Sequence, residues 1–377
     1  MMNARERFVA ALRSEKLDRY PFVPGAPRES TLQRWHSEGL PADIGYMDAI
    51  REALGLGAES SQERVWPGID FRMIPQYEEQ VLEHRGGHFV LRDWMGNVVE
   101  IADRYDASYL RSARDFVTRR WLRFPVESRE QWEQMRRRYD PQAPERLPDD
   151  FGHRCMELAQ RDYPVGLSVN GPFWQLREWL GFEPLCMRIL TDPDLVREMI
   201  AFWTDFVDAL LHRILDRFQP DWLFISEDMA YKAHSMIDPA QARELLLPSY
   251  VRWVSTVKQA GVPVVVMDSD GYIEDLVPIW IDAGIDACNP IEVAAHNDIV
   301  HLRQRFGTRM AYWGGIDKRA IAAGGTAIER EVERVCSLLT GGGGLIPSCD
   351  HGIPPDVSWP DFLHYADVLA RATGWKR

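Results

Sequence analysis

The stretch Gly344-Leu345-Ile346-Pro347-Ser348-Cys349-Asp350-His351-Gly352 decides how the rest of the chain reads. An apolar run, 344–347, gives way to a cysteine, an aspartate and a histidine, and Pro354-Pro355 stiffens the turn that follows. Short runs with few polar gaps suit strands buried on both faces, as in a parallel sheet. Titratable groups just past the end of such a strand are where parallel α/β proteins build their active sites. The same pattern recurs upstream at 165–169, 222–226, 262–267, 285–288 and 310–313.

Helical patterns separate these runs. Asp192-Pro193 supplies a cap and a first-turn proline, and Leu195, Met199, Phe202, Phe206, Leu210, Ile214 and Phe218 follow at three- or four-residue spacing. Asp238-Pro239 repeats the device. Further strands near Tyr20 and over 69–74 bring the count to about eight, the number that closes a (β/α)8 TIM barrel. An open doubly wound sheet is the alternative, but no Gly-x-Gly-x-x-Gly turn follows an early strand. The expectation is one α/β barrel domain over 1–377. Its irregular, charged insertion, around 25–150, forms a lid over the barrel mouth. Within that insertion 88–91 and 98–101 read as a hairpin about Met95-Gly96-Asn97.

Bulk properties narrow the function. The chain has 377 residues, 45% of them hydrophobic, and a formal charge of −13. An acidic chain is a poor partner for nucleic acid, whose phosphates reward basic faces. No apolar signal core or membrane-spanning run is present, so a cytoplasmic protein acting on a small molecule, without a membrane partner, is expected. The composition leaves open whether the chain forms a homodimer.

In a parallel barrel the strand ends share one rim. They place Glu227, Asp228, Asp268, Asp270, Asn289, Trp313, Cys349 and His351 there. Asp228, Asp268 and His351 are the candidates for acid–base work. Glu227, Tyr231, Lys232, Asn289 and Trp313 are candidates for substrate contact, with Lys232 reaching an anionic group and the aromatics walling a cleft. The competing readings are turn and cap carboxylates, a solvated lysine and packed rings.

Read as a whole, the chain resembles the uroporphyrinogen decarboxylase superfamily, which joins porphyrinogen decarboxylases to zinc-dependent methyltransferases working with corrinoid proteins and thiols. The likeness rests on Arg5-Glu6-Arg7 with Asp18-Arg19-Tyr20-Pro21, on Asp282-Ala283-Gly284-Ile285-Asp286-Ala287-Cys288-Asn289-Pro290, and on Cys349 with His351-Gly352. Where the methyltransferases carry His-x-Cys-Gly, this chain has Asp268-Ser269-Asp270-Gly271. Where the decarboxylases carry Arg-Gln-Ala-Gly-Arg, it has Val23-Pro24-Gly25-Ala26-Pro27-Arg28-Glu29, with one arginine. The resemblance implies a methyltransferase moving a methyl group between a small methylated substrate and a partner corrinoid protein. Zinc would be held by Asp268, Asp270 and Cys349, and the corrinoid by the partner. The alternatives are a cofactor-free decarboxylase and a non-catalytic binding protein. In the decarboxylase Asp228, Asp268 or His351 would protonate the carbon that loses carbon dioxide; without a metal the aspartates would bind substrate directly and Cys349 would be a buried thiol.

Overall fold

The computed structural model describes residues 2–57, 68–106, 109–113, 115, 117–341 and 343–377. The first helix, α1 (Ala4–Leu12), opens on a reciprocal cap. The Glu6 amide donates to Asn3 Oδ1 and the Asn3 amide to Glu6 Oε2, both at 2.9 Å.

The insertion is built on an antiparallel sheet of four strands in chain order, β1 (Gln80–Arg85), β2 (His88–Arg92), β3 (Val98–Ala102) and β4 (Arg119–Arg123). The expected hairpin is its centre, with Phe89 opposite Ile101 and Leu91 opposite Val99. Buried Asp93 ties the turn by accepting the Met95 and Asn97 amides, each at 2.9 Å. Leu91, Val99, Ile101, Leu110 and Val117 form a small core of their own on this sheet.

The second sheet carries the six parallel strands read from the sequence: β5 (Gly166–Asn170), β6 (Trp222–Ser226), β7 (Val264–Asp268), β8 (Ala287–Asn289), β9 (Ala311–Ile316) and β10 (Leu345–Cys349). They are hydrogen-bonded in sequence order. The intervening helices include α2 (Pro172–Leu180), α3 (Pro193–Leu215) and α4 (Pro239–Gln259). Asp192 caps α3 by accepting the Leu195 amide, and Asp238 caps α4 by accepting those of Ala240 and Gln241. This is the (β/α)8-barrel class expected from the alternation.

Successive side chains on a strand point to opposite faces. Trp222, Val264, Val266, Ala287, Ala311, Trp313 and Ile346 make one buried cluster, and Phe8, Ala11 and Leu12 of α1 plug it. Their neighbours Leu223, Ile225, Val265, Met267, Cys288, Tyr312 and Leu345 pack instead in the core shared with the helices. Gly166 answers to this packing, because a Cβ there would lie 2.1 Å from the Trp222 ring.

The expected strands near Tyr20 and over 69–74 do not form as ladders. Pro21 and Pro24 have no N–H to donate, which removes the bonds a strand there would need. Over 69–74 the backbone carbonyls turn to a buried arginine: Arg146 Nη1 donates to the carbonyls of Asp70, at 3.3 Å, and Arg72. The same guanidinium reaches the Asp140 and Arg138 carbonyls, each at 3.0 Å.

Candidate active site

Strand register sets the site. Asn170, Ser226, Asp268 and Asn289 lie side by side at the C-terminal ends of β5 to β8. By alternation Ser168, Asn170, Ser226, Asp268 and Asn289 share the inward face with Trp222 and Val266, so they line the mouth of the barrel interior. Above them lies a cavity of ≈ 1270 Å³ whose walls come from both sheets. Ser168, Asn170, Trp174, Arg177, Glu178, Tyr231 and His351 supply the barrel side. Arg72, Trp94, Arg119, Trp121 and Phe124 supply the insertion side.

Asp228, Asp268 and Asp270 lie within electrostatic reach of one another, and His351 stands beside Asp270. Nε2 of His351 is 3.1 Å from Asp270 Oδ1, and its buried Nδ1 has no hydrogen-bond partner among the described residues. Burial works against the imidazolium, yet the Asp270 carboxylate outweighs it and raises the His351 pKa. Asp268 is pushed up to about 7, first by desolvation and then by the charges of Asp270 and Asp228, with Ser226 and His351 pulling the other way. Desolvation also raises the pKa of Asp228, against its bond from Arg177. Asp228 adopts a left-handed φ of 40°. Arg177 holds it there, Nη2 donating to Oδ2 and Nη1 to the Asp228 carbonyl, both at 2.9 Å. The Arg177 guanidinium in turn lies 4.2 Å from the Trp174 ring centroid.

The other candidates are placed differently. Glu227 turns away from the mouth, fully buried under the first turn of α2. It accepts the Trp174 amide at 2.9 Å and the Phe173 amide at 3.4 Å, and the Tyr250 hydroxyl donates to it. Desolvation pushes this carboxyl up to about 7 as well. Asn289 donates through Nδ2 to the Trp313 carbonyl at 2.7 Å. Trp313 is a barrel-interior residue whose ring meets Phe8 edge-on at 5.2 Å. Tyr231 lines the cavity, with Phe182 packed edge-on against it. Lys232 is exposed and does not contribute to the cavity wall.

The expected metal set does not assemble. Asp268 faces inward and Cys349, at an outward position of β10, is 5% exposed in the core shared with the helices. Its thiol donates weakly to Asp350 Oδ1 at 3.9 Å, and desolvation raises its pKa steeply. Asp270 is already committed to His351. Among the described residues no group of three or more His, Cys, Asp or Glu is arranged to hold a metal ion. Zinc does not fit this ligand set.

Sequence reasoning missed Arg177, Glu178 and Arg119. The first two follow Trp174 on the helix that leaves β5, so the strand-end rule extended by one helical turn would have reached them. Arg119 carried no such signal, since its strand was not foreseen. Glu178 is pushed up to about 7 by desolvation and accepts Trp174 Nε1 at 2.8 Å.

Residues 125–369 match the family described as uroporphyrinogen decarboxylase (URO-D). Over 79 residues, 21% of this chain, it is 35% identical to the uroporphyrinogen decarboxylase of Edwardsiella ictaluri, and it spans 22% of that relative's length. A methyltransferase from Methanosarcina mazei has a similar structure, with a TM-score of 0.59 at 16% identity over 99% of both chains. At that identity the likeness speaks for the fold alone. Among the described residues no helix is long and apolar enough to cross a membrane.

Proposed function

The chain belongs to the uroporphyrinogen decarboxylase family, and within it we propose a methyltransferase that moves a methyl group from a small methylated substrate to a partner corrinoid protein. One observation carries the reading: Asp268, which keeps its proton to about 7, ends β7 within the electrostatic reach of Asp228, Asp270 and His351, and His351 lines a cavity walled by two sheets. Demethylating an oxygen, nitrogen or sulfur breaks the carbon–heteroatom bond and leaves its electron pair on the heteroatom. The methyl group passes to the acceptor nucleophile, which the partner supplies. The leaving atom must then take a proton, and a desolvated acid at the mouth is suited to give it. In this reading Asp268 holds that proton, and the Asp270–His351 pair returns it. Arg177 fixes the Asp228 carboxylate, and the insertion's sheet walls the cavity from the opposite side.

Decarboxylation is the second reading, favoured by the same acids, since a protonated carboxyl can equally deliver a proton to the carbon that loses carbon dioxide. The two separate by assay. Free cob(I)alamin serves as acceptor, with methanol, trimethylamine, dimethyl sulfide and methoxybenzene as donors carrying methyl on oxygen, nitrogen or sulfur. Methylcobalamin formation from at least one donor, dependent on the protein, is expected. With one arginine in place of the propionate-binding segment, uroporphyrinogen should not be converted. Conversion above roughly one per second, with no methyl transfer from any donor, would replace the methyltransferase reading by the decarboxylase one.

A further inference from the structure

The charges lining the cavity are mostly satisfied within the chain. Arg72 is fastened to Asp70 by two bonds of 2.9 Å, and Arg177 to Asp228 at 2.9 Å. Arg119 differs. Its guanidinium has no carboxylate at ion-pair distance and donates no hydrogen bond among the described residues, although it lines the cavity and is only partly exposed. Asp93 acts on it only at longer range, because the Asp93 oxygens are taken by the Met95 and Asn97 amides and by Asn97 Nδ2 at 3.2 Å. Desolvation accordingly lowers the Arg119 pKa.

A partly buried guanidinium without a carboxylate partner is costly, and an anion entering the cavity would offset that cost. Its planar fork matches a carboxylate in two parallel bonds. The surface around it is flat and apolar. Trp121 lies beneath Arg119, with its ring centroid 5.4 Å from the guanidinium carbon, and stacks on Phe124 at 5.4 Å with 13° between the planes. Trp94 and Leu110 complete the wall. Aromatic walls of this kind take a ring of their own shape. Arg72 and Arg177 also line the cavity but are already paired within the chain, which leaves Arg119 for a single carboxylate.

We propose that Arg119 binds the carboxylate of a small aromatic monocarboxylic acid whose ring lies against Trp94, Trp121 and Phe124. This deepens the reading above by naming the substrate class of the same site, and it rests on that reading. Arg119 is then the specificity residue on the insertion side, while the acids at the barrel mouth handle the proton.

The test is binding, without turnover, so its failure and the failure of methyl transfer are distinguishable. The full chain is titrated with benzoate and with its neutral isostere benzamide, following the heat of binding and tryptophan fluorescence. Benzoate is expected to bind about 10- to 100-fold tighter than benzamide, the scale of a charged hydrogen-bond pair. Arg119→Gln should abolish that preference, while Arg119→Lys should keep part of it. Equal affinity of the unaltered protein for the two compounds, or no binding of either, overturns the proposal without recourse to any variant. Retained preference in a folded Arg119→Gln protein overturns it as well.

Discussion

Asp268 and Cys349 both close a buried strand, yet they do different work because side chains alternate along each strand. Asp268 follows Val264 and Val266 on the inward face of β7. Cys349 follows Leu345 on the outward face of β10 and packs among the helices. The run 344–349 is apolar throughout its first half and buried on both faces, so no polar alternation marks which face each residue takes. That is why the acids were legible in the sequence as a rim and the cysteine was misread as their companion. Replacing Cys349 by Ser should therefore leave activity within about twofold. It should cost about 1–3 kcal/mol of stability, as a hydroxyl replaces a thiol in an apolar site. Denaturant midpoints together with initial rates check this, and a loss of activity at unchanged stability would return Cys349 to the site.

At the scale of elements, six parallel strands could be read because their apolar runs are continuous and two of the helices between them carry Asp-Pro starts. The segments near Tyr20 and over 69–74 misled for an equally physical reason: they are apolar enough to be buried, but their backbone bonds go elsewhere. Phe22 and Met73 are indeed core residues, and burial without a ladder is what hydrophobicity alone cannot distinguish. Over 69–74 the substitute for a neighbouring strand is Arg146, whose guanidinium gathers carbonyls of Asp70, Arg72, Arg138 and Asp140. Arg146→Met keeps much of the side-chain volume and strands those acceptors. A loss of about 3–5 kcal/mol is expected in chemical denaturation. A loss under about 1 kcal/mol would mean that water replaces the guanidinium at little cost. The four-stranded sheet was foreseen only at its central hairpin. Its outer strands are charged or carry exposed residues, and β1 is exposed along its whole length, so neither shows the half-buried alternation that marks a strand.

The molecule as a whole sets two unlike surfaces against each other across one cavity. The barrel brings acids and a histidine, positioned by strand register, with Asp268 desolvated among them. The insertion brings tryptophans and Arg119, positioned by an antiparallel sheet with its own small core. Both parts wall one cavity, and under the proposed function we treat the insertion as a lid on one catalytic unit. The central claim is that Asp268, protonated in this setting, drives the reaction at the mouth. The most direct measurement is the rate of methylcobalamin formation against pH, for the unaltered protein and for Asp268→Asn. An acid that must carry its proton is lost as pH rises through about 7, the Asp268 value, so the rate should fall across that range. Asp268→Asn should be slower by about 10²- to 10⁴-fold, the usual contribution of a positioned acid. A rate that climbs through pH 7, or an Asp268→Asn protein within twofold of the unaltered one, would contradict the account.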